Sequence, residues 1–161
     1  MTKERPPITA AVRALREAGV THTNHFYKYQ EHGGTEVGAR ELGVDEHTVI
    51  KTLVMEDEHR KPLIVLMHGD LKVSTKELAR QIGTKSVVPC SAEAALHHTG
   101  YVVGGISPFG TRKKVPVYME ETIVGLPRIL INGGKRGYLV EVDPTDVVRV
   151  LQPTLVAVGT R

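Results

Sequence analysis

The chain has 161 residues, of which 40% are hydrophobic and 24% charged, enough for one domain to bury a core without disulfides or a structural metal. The net charge is +3, which permits an anionic partner without requiring one. With no tryptophan and 4% aromatic residues, an extended base-stacking platform is not expected.

Cys90 is the single cysteine, so there is no disulfide framework, and a reducing, cytoplasmic setting is expected. Met1 to Pro7 is polar and lacks the apolar centre of a signal peptide. Residues 1–7 are read as a loose leader to a single domain spanning 1–161. No apolar run approaches the length of a membrane span.

Ile8 to Gly19 reads as a helix capped by Thr9, with Val12, Leu15 and Ala18 on one face and Gly19 as the stop. Thr21 to Tyr29 has strand character. After Gly33-Gly34, Thr35 opens a short helix that ends near Leu42-Gly43, and Asp45 caps one further turn. Val49 to Met55 and Pro62 to Met67 read as a hairpin around the charged bend Glu56 to Lys61.

Ser74-Thr75-Lys76-Glu77 is a capping-box pattern, in which Ser74 and Glu77 serve each other's backbone donors. A brief strand, Ser86 to Pro89, leads to a helix capped by Ser91 and ending near Thr99-Gly100, and Val115 to Tyr118 is a further strand. Arg128 to Asn132 and Tyr138 to Val142 flank Gly133 to Gly137 as a hairpin with a basic tip. Asp143-Pro144 starts the last helix, which ends near Leu151, and Thr154 to Val158 adds an edge strand. Hairpins mixed with helices predict an α+β fold: a curved, largely antiparallel mixed sheet, or a partly closed barrel, with flanking helices.

Three stretches could carry chemistry. In Thr99 to Gly110 an apolar run ends in Gly104-Gly105, followed by Ile106-Ser107-Pro108. Glycine allows close approach of main chain or positive φ, and Pro108 biases Ser107 toward extended backbone. Such a wall could turn N–H groups toward a carbonyl, carboxylate or phosphate. The same glycines would equally serve a structural turn.

Lys51 lies inside an apolar strand, where its ammonium needs a carboxylate, a ligand or a route to solvent. It would bind an anionic group or polarise a carbonyl, or it is a solvent-facing strand lysine. Arg112-Lys113-Lys114 follows the glycine stretch and could track phosphates or form a solvated face.

Gly133-Gly134-Lys135-Arg136-Gly137 fails the phosphate-loop pattern, because Ile129 stands where the first glycine belongs and Arg136 replaces the magnesium-holding Ser/Thr. Its tip could meet a nucleic-acid backbone or be a solvated turn. The eight histidines form no metal-binding pattern, and neither a nucleophile elbow nor a triad is recognisable. No cofactor or metal is expected.

Taken together, Ala11-Val12, Phe26-Tyr27, Val49-Ile50-Lys51-Thr52-Leu53, Thr99 to Gly110 and Gly133 to Gly137 resemble the YbaK/EbsC family. These are free-standing relatives of the editing domain inserted in bacterial prolyl-tRNA synthetases. The resemblance runs from about Pro7 to Ala157. It implies removal of a wrongly attached amino acid from tRNA, with cysteinyl-tRNA(Pro) the substrate of cysteine-clearing members and prolyl-tRNA synthetase a partner.

By position, Lys51 matches the family's essential lysine, Gly104, Gly105, Ile106, Ser107 and Pro108 match the loop that shapes the pocket, and Tyr27 matches a tyrosine near it. Arg112, Lys113, Lys114, Lys135 and Arg136 are the tRNA contacts this reading suggests. Some cysteine-clearing relatives carry Asp where this chain has Leu139, which opens alanyl-tRNA(Pro) as an alternative substrate. A non-catalytic module that binds an aminoacyl or nucleotide group is a further alternative.

Under the enzyme reading the ester is already activated, so the protein need mainly orient it and stabilise the oxyanion. Backbone N–H groups of Gly104 to Ser107 would hold the carbonyl oxygen, and Lys51 the ribose or terminal phosphate. The substrate's own thiol, or a water, would then replace a protein nucleophile. Thiol attack rejects alanine on chemistry, where pocket size alone discriminates weakly.

Overall fold

The computed structural model describes residues 6–161. The leader expected over residues 1–7 lies outside it except for Pro6 and Pro7, which are in neither helix nor strand. Thr9 accepts a hydrogen bond from the Val12 N–H and so caps α1 (Ala10–Glu17), which buries Ala11, Val12 and Leu15. β1 (Thr23–Phe26) is shorter than its sequence suggested. α2 (Gly34–Leu42) ends on Gly43 in the left-handed region. Asp45 caps the 3-10 turn Glu46–Thr48, as expected.

β2 (Val49–Asp57) and β3 (Pro62–His68) form the anticipated hairpin, in register from Ile50 opposite His68 to Glu56 opposite Pro62. After the short β4 (Lys72–Val73), Ser74 caps α3 (Thr75–Ile82). The box is one-sided: Ser74 Oγ accepts from the Glu77 N–H, but the Ser74 N–H donates to Val158, and the Glu77 carboxylate is taken by Arg80 and Gln81. β5 (Val87–Pro89) and α4 (Ala92–Thr99, capped by Ser91) follow.

β6 (Val117–Glu120) leads through the 3-10 turn Glu121–Gly125 to β7 (Ile129–Lys135) and β8 (Tyr138–Val142), the second hairpin foreseen in the sequence. α5 (Pro144–Leu151) has Asp143 as cap and proline in its first turn. β9 (Thr154–Val156) and β10 (Gly159–Thr160) close the chain.

One mixed sheet runs in the order β1-β8-β7-β2-β3-β6-β9, with β5 paired to β2 and a separate β4–β10 ribbon. Hairpin and β1–β8 pairings are antiparallel, whereas β2–β7, β3–β6 and β6–β9 are parallel. The expected α+β class with a predominantly antiparallel mixed sheet is the observed one, and β1 and β9 are the ends of an open path.

The period-2 alternation of β2 divides its neighbours between two faces. Ile50 and Val54 enter the main core with Ile64, Leu66, Ile131 and Phe109. On the other face Val49 joins a small cluster under α2, with Ala39, Leu130 and Leu139. Met55 and Leu53 join a second one under α3, with Val65, Met67 and Leu78. Lys51 occupies the gap between these two apolar clusters.

Candidate functional site

Lys51 is partly buried between the two clusters. Its ammonium donates to the Leu71 carbonyl. Burial lowers its pKa, while Glu46 and Asp70 pull it upward and Lys72 lowers it further. The two carboxylates are held in place. The Thr35 hydroxyl donates to Glu46 Oε2 at 2.7 Å, and His47 Nδ1 lies 2.8 Å from Asp70 Oδ1.

His47 stacks on fully buried His68 at 3.7 Å between centroids, and His68 Nδ1 donates to the His47 carbonyl at 2.8 Å. Gly69 lets the turn after β3 come close, since a Cβ there would lie 2.7 Å from the Val49 carbonyl oxygen. Lys51 is thus a desolvated cation with braced anionic neighbours.

The β2 edge beside it is open. β7 pairs with Val49 and Ile50, the pairing with β5 begins at Met55 opposite Pro89, and the Cys90 N–H reaches the Val54 carbonyl. No strand among the described residues pairs with that edge in between. The Thr52 hydroxyl on the core face is buried without a partner among the described residues.

One step beyond the last bonded pair, Ile50 with Ile131, the parallel register brings Asn132 level with Lys51. Asn132 is opposite Leu139, and Leu139 is opposite His25. Leu139 packs in the α2 cluster with Tyr27, and a Cβ on Gly38 would touch both the Tyr27 ring and Leu139. Burial, with Tyr29 adding to it, pushes the Tyr27 phenol above its ordinary pKa.

The glycine stretch lies over the β7–β8 hairpin. Asn132 Nδ2 donates to the Gly104 carbonyl at 3.1 Å, and Arg136 Nε to the Val103 carbonyl at 2.9 Å. Gly104 has φ of +90°, and a Cβ there would lie 2.6 Å from the Tyr29 hydroxyl. A Cβ on Gly105 would lie 2.8 Å from the Arg136 backbone nitrogen. These two glycines therefore make room for the protein's own hairpin and tyrosine, a use their sequence could not distinguish from close approach to a ligand.

Gly105 N–H donates to Val102 and Phe109 N–H to Ser107 Oγ. Among the described residues no such bond engages the N–H of Gly104, Ile106 or Ser107. Ser107 and Phe109 are buried, as is Pro108, while Ile106 packs against the main core.

Of the anticipated residues, Tyr27, Lys135 and Arg136 share a cleft of about 380 Å³ with Phe26 and Tyr138. Among the described residues Lys51 has no hydrogen bond or ion pair to the glycine stretch, which is held instead by Asn132 and Arg136. Arg112, Lys113 and Lys114 are exposed at the C-terminal end of α4. There the Arg112 and Lys113 N–H groups donate to the Thr99 and His98 carbonyls, and Lys113 Nζ is 2.9 Å from His97 Nε2.

Sequence reasoning did not single out Asn132, Tyr29, Glu46 or Asp70. For Asn132 a signal was present, an Asn ahead of Gly-Gly at a strand end, where the Asx side chain bonds backbone donors. Its Oδ1 accepts from Gly134 and Lys135. Burial, with Glu56 beside it, pushes the Cys90 thiol up to about 11, which disfavours the thiolate form a nucleophile uses. Among the described residues no group of three His, Cys, Asp or Glu could hold a metal ion, and none of their helices is long and apolar enough to cross a membrane.

A solved structure described as a candidate trans-editing enzyme for prolyl-tRNA synthetase superposes with a TM-score of 0.82 at 19% identity, covering 97% of this chain and 100% of that one. The hypothetical protein APE2540 gives a TM-score of 0.86 at 21% identity, covering 94% and 100%. Both establish the fold. A protein of Enterococcus faecalis named as a candidate Cys-tRNA(Pro)/Cys-tRNA(Cys) deacylase, EbsC, is 27% identical over 154 residues, covering 95% of this chain and 94% of its own length. A proline–tRNA ligase of Thermodesulfovibrio yellowstonii is 37% identical over 73 residues, 45% of this chain and 12% of the ligase. The aminoacyl-tRNA editing domain model matches residues 32–150, a range that contains Lys51, the glycine stretch and the hairpin clamped to it, and the chain belongs to that family.

Proposed function

We propose that this protein is a cytoplasmic trans-editing deacylase that clears cysteine wrongly attached to tRNA(Pro), acting on the charged acceptor end and alongside prolyl-tRNA synthetase. The observation that carries this reading is the half-buried Lys51 ammonium, level with Asn132, whose side chain holds the glycine stretch. A desolvated cation and unengaged main-chain N–H groups are what an ester needs in order to be oriented and its oxyanion stabilised.

The high thiol pKa of Cys90 fits a reaction without a protein nucleophile. In the proposed step the substrate cysteine's sulfur bonds to its own carbonyl carbon. The carbon–oxygen bond to the ribose breaks, the ribose oxygen takes up the thiol proton, and the amino acid departs as a small cyclic thioester. Lys51 fixes the ribose or terminal phosphate, the N–H groups of Gly104, Ile106 and Ser107 face the carbonyl oxygen, and Tyr27 borders the pocket.

Leu139 favours a second substrate, alanyl-tRNA(Pro), because it packs in an apolar cluster with Ala39, Val49 and Leu130. Deacylation of cysteinyl- and alanyl-tRNA(Pro), with wild type and Lys51→Ala side by side, decides. Cysteine release that is lost in Lys51→Ala, and lost when the thiol is replaced, is expected. Full activity of Lys51→Ala would reject the role of the lysine, and indifference to the thiol would reject self-cleavage. Saturable tRNA binding without turnover, with the synthetase present, would make the protein a binding module.

A further inference from the structure

We infer that Arg136 and Asn132 are positioning residues that clamp the exposed half of the glycine stretch, with Arg136 acting through its planar guanidinium on Val103 and Tyr29 and not as a phosphate contact. The inference rests on the deacylase reading, and it reassigns an arginine whose basic surroundings suggested tRNA.

The glycine stretch is anchored unevenly. From Ser107 to Phe109 it is buried, with Phe109 only 1% exposed, whereas Val102 and Val103 are each 48% exposed. Apolar burial does little for this leading half, and polar contacts must set its path. They come from two sides. Asn132 donates to Gly104 O while its oxygen is fixed by the Gly134 and Lys135 N–H groups, at 2.7 and 3.1 Å.

Arg136 donates to Val103 O, and its guanidinium lies 5.0 Å from the centroid of the Tyr29 ring. Tyr29 in turn covers Gly104. A directed Nε–H bond combined with stacking on a ring is something a lysine ammonium does not reproduce. A phosphate contact made as a point charge, by contrast, a lysine reproduces well. The N–H groups proposed to face the ester begin at Gly104, so the clamp sets their direction without touching substrate.

The test compares Arg136→Lys, Arg136→Ala and Asn132→Asp with wild type. Asn132→Asp is nearly isosteric and keeps both accepted bonds while replacing the donor to Gly104 by a charged oxygen, and Asn132→Ser, which shortens the side chain without adding charge, is read beside it; both guard against an Arg136 variant that fails to fold. Steady-state deacylation, the salt dependence of tRNA binding, and hydrogen exchange over residues 102–107 are read for each. Displacing a positioned group by about 1 Å can cost on the order of 100-fold in rate.

The expected result is a fall in kcat of about 10- to 100-fold in all the variants. KM and salt slope stay unchanged, and exchange is faster at Gly105, whose N–H is bonded to the Val102 carbonyl. Arg136→Lys with wild-type kcat and exchange, and Arg136→Ala with weaker binding and a salt slope smaller by about one, would overturn the inference and make Arg136 a phosphate contact. If wild type deacylates no charged tRNA, the functional reading fails by itself, and the exchange rates still decide whether the clamp exists.

Discussion

An ammonium withdrawn from water on a strand is costly in stability unless it is compensated, and Lys51 is only partly compensated. Its folded pKa lies below the ordinary lysine value because burial outweighs Glu46 and Asp70. The cost belongs to the charged form, and it eases as pH rises through the lowered folded value toward the unfolded one. Lys51→Met removes the charge and also the donor to Leu71, two effects of opposite sign. We expect the unfolding free energy read from urea titration to change by less than about 1 kcal/mol, while deacylation falls at least about 100-fold. A strongly destabilised variant would identify Lys51 as a structural residue. What the sequence conveyed here was a charge inside an apolar strand. Its anionic neighbours were illegible, since Asp70 comes from a turn after the next strand and Glu46 from a one-turn helix.

Single helices and loops have local controls that can be read separately. Glu77 has its carboxyl lowered to about 2, chiefly by the hydrogen bonds from Arg80 and then Gln81. A lowered folded value contributes stability that is present above the ordinary glutamate value of 4.5 and is lost as pH falls toward 2. Wild type and Glu77→Gln should therefore differ most at neutral pH and converge across that acid window in circular dichroism.

Glycines divide by what surrounds them. Gly110 has φ of +64°, and a Cβ there would press on the Ala10 carbonyl at the start of α1. Gly110→Ala should cost about 2 kcal/mol or more. Gly125 has nothing within 4 Å and no positive φ, so Gly125→Ala should be neutral or stabilising by up to about 1 kcal/mol. Equal thermal shifts in the two variants would refute this division. The sequence marked both positions as glycine and distinguished neither, because the deciding carbonyl lies a hundred residues away from Gly110 along the chain.

At the scale of the molecule, local patterns located the two long hairpins and the helix caps, while the connections that assemble them were silent. The parallel pairings of β2 with β7 and of β3 with β6 join segments far apart in sequence. It is the β2–β7 register, continued one step past Ile50 and Ile131, that brings Asn132 level with Lys51. Charge shows the same split between local legibility and global placement. A net charge of +3 says little, but Arg112, Lys113 and Lys114 stand together at the exposed end of α4, where backbone bonds to Thr99 and His98 fix their spacing. If these side chains meet the acceptor stem, each neutralised phosphate steepens the salt dependence of binding by about 0.7 to 0.9 in log–log slope. Replacing all three with alanine should lower the slope by about two and weaken tRNA binding, with kcat at saturating substrate unchanged, because among the described residues no hydrogen bond or ion pair joins their side chains to Gly104 to Ser107 or to Lys51. Titrating labelled tRNA against wild type and the triple variant across a range of potassium chloride measures both quantities. An unchanged slope would make the cluster a solvated counterweight to the α4 dipole and move the tRNA path to the Lys135 side of the molecule.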